Sequence, residues 1–343
     1  MKRLLMSGVV VVLILSFVAT FSLVGCKEEA AAAEEEEAAP AEVAEEEAPA
    51  EGVAVEDLVI GFIAMNQTME WMTYALKSAQ VAADEAGIEM IVYDAEDNAA
   101  RQGSLMEDLV AQGVDAIITD PITVESLNPF MQEAEDAGIL VATFDRRAEG
   151  APYFAFIGCD DVYGGHLCAQ YIADNIGGEG KVIEIVGQLG AGPTIDRGEG
   201  FYAELENYPD IEVVFTQTGE FMREKGLTVM EDAITTTGGE FDAVFSHNDS
   251  MMMGALQAMN DAGLDQSKIV TISYDGVPDV LRAIRDGNLD ATVQYPVGMA
   301  GAIVKVVVDY LVNGTVPEKK DDKMNPWVIT VDNLETGDFY DLM

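Results

Sequence analysis

After Asp57 the chain repeats one unit, a short β-rich apolar run followed by a longer stretch in which apolar residues recur at helical spacing. The apolar runs cover 58–64, 88–93, 116–119, 140–144, 181–186, 211–216, 243–246, 269–274 and 291–293. Most intervals hold 10 to 18 residues of amphipathic pattern, as over 69–86 and 249–262. Strands alternating with helices of that length form βαβ units, whose parallel sheets need helices on both faces. Nine such strands exceed what one sheet of this kind usually holds. The pattern therefore predicts an α/β fold of two doubly wound parallel-sheet lobes.

The first 57 residues stand apart. Lys2 and Arg3 open an apolar stretch that ends in Leu23-Val24-Gly25-Cys26. A basic start, an apolar centre and small residues before a cut describe a secretory signal over 1–25. The closing four residues resemble the lipobox of bacterial lipoproteins, which implies that Cys26 is acylated and becomes the mature N-terminus. The alternative is an uncleaved membrane helix, which the apolar length just allows. From Lys27 to Asp57 the chain carries thirteen acidic residues and one Lys among Ala, Pro and Val. Such a segment buries too little apolar surface to offset its ordering entropy, so 26–57 is expected to be a disordered tether from a lipid anchor.

The 343 residues hold 62 Asp plus Glu against 18 Lys plus Arg, a formal charge of −44. That balance excludes a nucleic-acid partner, which needs clustered cations, and it repels anionic lipid heads. No helix-turn-helix opens the chain, which argues against a transcriptional regulator. Cys159 and Cys168 allow one disulfide, but two buried thiols is the commoner arrangement. His166 and His247 without clustered Cys give no zinc motif, and no calcium or nucleotide loop is complete. No cofactor is implied.

In open parallel sheets ligands sit beyond the carboxyl ends of the strands. At those ends stand Asp120, Asp145, Arg146, Asn248, Tyr274, Asp275 and Gln294, with His247 in the same loop as Asn248. Arg197 and Phe221 fall beside the helices that follow the next two strands, and Trp71 beside the first helix. Asp249 is placed to cap its helix. Sugar hydroxyls need fixed acceptors, fixed donors and carboxamides that serve as either, while the apolar face of the ring packs on aromatics. This set points to a neutral polyhydroxylated ligand. A glycosidase pair of Asp145 and Asp275 is disfavoured, because Arg146 and Arg197 are expected to hold nearby carboxylates ionised.

The span from 58 to about 327 resembles the type I periplasmic sugar-binding proteins, especially their ribose-binding branch. The resemblance rests on Val141-Ala-Thr-Phe-Asp145-Arg146, Asp196-Arg197-Gly198-Glu199-Gly200-Phe201, Ala243-Val-Phe-Ser-His-Asn248-Asp249, Tyr274-Asp275-Gly276 and Ala291-Thr-Val-Gln294. It implies two lobes, 58–159 with 296–324 and 160–295 with 325–343, joined by three crossovers near 158–160, 294–296 and 325–327. It also implies that Asp145, Arg146, Arg197, Asn248, Asp275 and Gln294 bond the ligand while Trp71, Phe221 and Tyr274 stack on it. Thr68-Met69-Glu70-Trp71-Met72 departs from the branch, as does Asp120 in place of its usual Asn. Both changes move the expected ligand from ribose itself toward another pentose, a hexose or a polyol. The implied partners are an ABC importer permease and a chemoreceptor, with the protein a monomer tied to the cell envelope. A receptor for a signalling molecule would use the same fold.

Overall fold

The computed structural model describes residues 54–338. The signal over 1–25, Cys26 and nearly all of the acidic tether lie outside the described residues, as does the end of the chain from 339. Among the described residues no helix is long and apolar enough to cross a membrane.

Two six-stranded sheets carry the fold. The first contains β1 (Val59–Ala64), β2 (Glu89–Asp94), β3 (Ala116–Thr119), β4 (Leu140–Phe144), β5 (Ala155–Cys159) and β11 (Asp321–Met324) in the order β11-β5-β4-β3-β1-β2. The second contains β6 (Glu179–Val186), β7 (Asp210–Thr218), β8 (Ala243–Ser246), β9 (Val270–Asp275), β10 (Ala291–Gln294) and β12 (Val328–Thr330) in the order β12-β10-β9-β8-β6-β7. Every pairing is parallel except that of β12 with β10. Central strands β3, β8 and β10 are buried at every position, as strands covered on both faces must be. The helices that cover them are α1 (Glu70–Ala86), α2 (Ala99–Gln112), α3 (Asn128–Asp136), α4 (Asp161–Ile176), α5 (Gly192–Leu205), α6 (Arg223–Thr237), α7 (Asp249–Asp261), α8 (Pro278–Arg285) and α9 (Met299–Asn313).

Three strands escape the apolar pattern. β5 follows β4 with no intervening helix, β11 reads Asp-Asp-Lys-Met on a sheet edge, and β12 has three residues. The chain passes between the sheets after β5, after β10 and after β11, and the three passages are stitched together. Asp160 N–H donates to the Met324 carbonyl at 2.9 Å, and Gln294 N–H to that of Trp327 at 2.8 Å.

Helices α4 and α5 pack with no room for a side chain between them. A Cβ on Gly200 of α5 would lie 1.8 Å from the Val162 carbonyl oxygen, and one on Gly165 of α4 would lie 2.0 Å from that of Arg197. Glycine at both positions lets the two helices touch backbone to backbone, which seats Arg197 against the start of α4. Cys159 and Cys168 are buried free thiols. Met251 and Met252 pack in the core.

Candidate functional site

The strand ends of the two sheets face each other across a small cleft lined by residues of both. The first sheet's side contributes Asp145 and Arg146 after β4, with Met65, Met69, Trp71 and Met72 around the start of α1. The other side contributes Pro193 and Arg197 from α5, Phe221, Asn248 and Asp275, and Tyr295 joins from the crossover after β10. Seven of the ten residues singled out from sequence are thus brought together.

Three of them sit on unusual backbone. Asp145 has φ 56°, Phe221 φ 63° and Asp275 φ 125°. Left-handed backbone is uncommon outside glycine, and it persists only where the surroundings enforce it, most often at functional sites. Asp275 is held by a carboxylate behind it. Asp249 accepts from the hydroxyls of Ser273 at 2.5 Å and Thr292 at 2.8 Å through one oxygen, and from the N–H groups of Gly276 at 2.7 Å and Val277 at 2.9 Å through the other. The helix cap itself is Asn248, whose Oδ1 accepts from Met251 N–H at 3.0 Å and whose Nδ2 donates to the Phe221 carbonyl at 3.2 Å. Adjacent Asn and Asp are both good caps, and the four buried donors claim the Asp.

Arg197 anchors the floor. Its Nε donates to Asp161 at 2.8 Å and its Nη1 to the His247 carbonyl at 2.5 Å, and its guanidinium lies 3.7 Å from the ring centre of Tyr274. Burial works against its charge, yet Asp161 and the surrounding groups raise its pKa. Arg146 spans the cleft, donating to the Ile122 carbonyl at 2.8 Å and to Gln188 Oε1 at 3.0 Å. Trp71 donates Nε1–H to the Tyr295 carbonyl at 3.1 Å.

The carboxylates depart from expectation. Burial raises the pKa of Asp145 despite Arg146, Tyr295 and Arg197, and burial, with Asp249 and Arg197 acting in opposite senses, raises Asp275 well above the usual range. Asp161 is pushed up to about 6 even with Arg197 bonded to it. Desolvation outweighs the guanidiniums, so these carboxyl groups titrate above the ordinary range and not below it.

Three sequence-predicted residues turn away from the cavity. Asp120 is wholly buried: Oδ1 accepts from Met65 N–H at 3.0 Å, and Oδ2 has no partner among the described residues. Tyr274 lies beneath Arg197 with its hydroxyl 3.9 Å from Cys159 Sγ, so it supports the guanidinium and is not one of the cavity's aromatics. Gln294 spends its carboxamide inside the protein, donating to the carbonyls of Asp275 at 3.0 Å and Tyr295 at 3.2 Å and accepting from Asp338 N–H at 3.0 Å. Alternation along a strand explains the swap, since consecutive residues at a strand end point to opposite faces. His247 likewise turns from the cavity to Glu184, 3.0 Å away. His166 of α4 pairs with Glu204 of α5 at 2.9 Å.

The periplasmic binding protein domain matches residues 60–315, a span that includes every residue lining the cavity. The chain belongs to the periplasmic binding protein family. Within it the chain is 34% identical over 269 residues to the galactofuranose-binding protein YtfQ of Escherichia coli, covering 76% of this chain and 85% of that protein. It is 36% identical over 243 residues to the ribose import binding protein RbsB of Bacillus subtilis, covering 71% and 78%. Among solved structures, the binding component of the arabinose ABC transporter of Shewanella, bound to α- and β-L-arabinofuranose, matches with a TM-score of 0.78 at 32% identity, over 83% of this chain and 95% of that one. These relatives place this periplasmic binding protein in the type I, ribose-binding branch. Five of its cavity residues, Met65, Met69, Met72, Pro193 and Tyr295, escaped the sequence motifs. Met69 and Met72 could have been read from the departure in the loop before α1, where they flank Trp71.

Proposed function

We propose that this protein captures a monosaccharide or a similar small polyhydroxylated ligand between its lobes and delivers it to an ABC importer. The observation that carries this reading is the pairing of Asp145 and Arg146 from one sheet with Arg197, Asn248 and Asp275 from the other around one cavity walled by Trp71, Phe221 and Tyr295. Ligand bonds from both lobes exist together only when the cleft is closed, so binding shifts the hinge toward the closed form. The names of the relatives, which bind galactofuranose, ribose or arabinofuranose, support a sugar in particular.

In this reading the lobes are 58–159 with 296–324 and 160–295 with 325–343. The protein is extracytoplasmic, monomeric and held at the cell envelope by an acylated Cys26, and its closed form docks on the permease. It performs no chemistry on its ligand. The test is thermal unfolding of the purified protein against pentoses, hexoses, polyols and amino acids. A ligand at a thousand times its Kd stabilises by about 4 kcal/mol, a rise of several degrees. A selective rise with one sugar or polyol supports the reading. A rise only with an amino acid, or with nothing in ligand-free protein, removes it.

A further inference from the structure

Tyr295 follows directly on β10, on the segment where the chain leaves the second sheet for α9 against the first. Its hydroxyl donates to Asp145 Oδ1 at 2.5 Å, and its N–H donates to the Asp275 carbonyl at 3.0 Å. Its carbonyl accepts from the Trp71 indole, and its ring lies 5.0 Å from that of Trp71 and 4.7 Å from the Arg197 guanidinium. One crossover residue is therefore bound to the ends of β4 and β9, the strands that carry the two cavity carboxylates.

We propose that Tyr295 is the positioning residue of the cleft: its hydroxyl occupies one oxygen of Asp145 and its main chain fixes the turn bearing Asp275, so the two carboxylates meet one ligand at a set separation. The inference rests on the sugar-binding reading. A carboxyl group turns easily about its terminal torsion, and a single fixed donor removes that freedom. Discrimination between hydroxyl patterns depends on such placement. Because the donor arrives from the crossover, the direction of Asp145 depends on how the two sheets stand to each other.

The groups facing Asp145 are Asp120 after β3, Arg146 beside it, Asp161 of α4, Arg197 of α5, Asp275 at the end of β9 and Tyr295 itself. Burial raises the Asp145 pKa, whereas Arg146 and the Tyr295 hydroxyl lower it. Removing the hydroxyl shifts the accepting, ionised form to higher pH.

Wild type and Tyr295→Phe are titrated by calorimetry with D-ribose, L-arabinose, D-galactose and myo-inositol at pH 6, 7 and 8. For each of these that binds wild type, Tyr295→Phe loses about tenfold in affinity, with the greater loss at pH 6. Equal affinity, or a loss that does not vary with pH, overturns the proposal. If none of the four binds wild type, the sugar reading loses its support, and Tyr295 is read without ligand. The melting-temperature gap between wild type and Tyr295→Phe then narrows as pH falls from 8 to 5, because a hydroxyl bonds an ionised carboxylate more strongly than a protonated one. A gap that stays constant overturns the role of Tyr295 independently of any sugar.

Discussion

Arg197 donates its Nε–H to Asp161 at 2.8 Å, and the two side chains are 3% and 4% exposed. The pair is as much a part of the core as Tyr274 and Phe201 around it. Removing one member of a buried ion pair leaves the other uncompensated, at a cost of roughly 3–5 kcal/mol. Arg197→Ala is therefore expected to lose stability as well as ligand affinity. The loss should be smaller at pH 5, where the orphaned Asp161 takes a proton. Thermal unfolding at pH 5 and 8 checks this, and a variant as stable as wild type at pH 8 would show that the pair contributes nothing.

The seat of Arg197 depends on a residue with no side chain. The atom nearest a Cβ at Gly200 is a backbone oxygen, that of Val162, and backbone cannot swing aside as a flexible side chain can. Gly200→Ala should force α4 from α5, destabilise by about 1–3 kcal/mol or more and weaken ligand binding together with stability. Gly198→Ala, two residues earlier, meets only the His247 ring at 4.0 Å and serves as the control. Equal melting temperatures for the two variants would refute the close-packing argument.

Much of this site was legible because strand ends are where a parallel sheet presents its ligands. Asp145 and Asp275 follow apolar runs directly and Asn248 follows one residue later, and an acidic or amide residue there is visible without coordinates. Tyr295 was not, because it follows Gln294 at the same strand end, and the pattern does not say which of two neighbours faces the cleft. Tyr274 and Gln294, whose side chains do not line the cavity, carry the same ambiguity. The direction of the pKa shifts was out of reach: Arg146 and Arg197 are visible in the sequence, but the depth of burial that outweighs them is not. In the fold, β11 was invisible because its Asp-Asp-Lys-Met is paired only at a sheet edge and carries no apolar signal.

The raised carboxylates set the pH dependence of the ligand-free fold. Asp161 titrates near 6 and Asp249 near 7, both raised by burial from 3.8. An acid whose folded pKa is raised binds its proton more tightly in the folded state. Its stabilising contribution is complete below pH about 4 and is lost as pH climbs through 6 and 7. The melting temperature should therefore fall between pH 5 and pH 8. In Asp249→Asn the amide oxygen still accepts from Gly276 and Val277 while the NH2 donates to the Ser273 and Thr292 hydroxyls, so the shape persists without the titration. That variant should show a shallower fall, and a fall as steep as that of wild type would remove Asp249 from the account.

Contacts outside the cavity also join the two sheets. Arg147, after β4, donates Nη1 to Asp196 of α5 at 2.5 Å, and Gln188, after β6, donates to Asp97 at 3.1 Å while accepting from Arg146. The Arg147–Asp196 and Gln188–Asp97 bonds span the cleft between residues that do not line the cavity, so their free energy favours the closed arrangement whether or not the cavity is filled. The side chains of Arg147 and Asp196 are 24% and 12% exposed, so solvent and salt screen the pair and its worth is about 0–1 kcal/mol. Arg147→Ala should weaken a bound sugar by up to about fivefold, and less at 0.5 M salt, with the cavity unchanged. Small-angle scattering of the ligand-free variant should report a larger radius of gyration than wild type. Unchanged affinity with unchanged radius would mean that closure is governed by the ligand bonds alone.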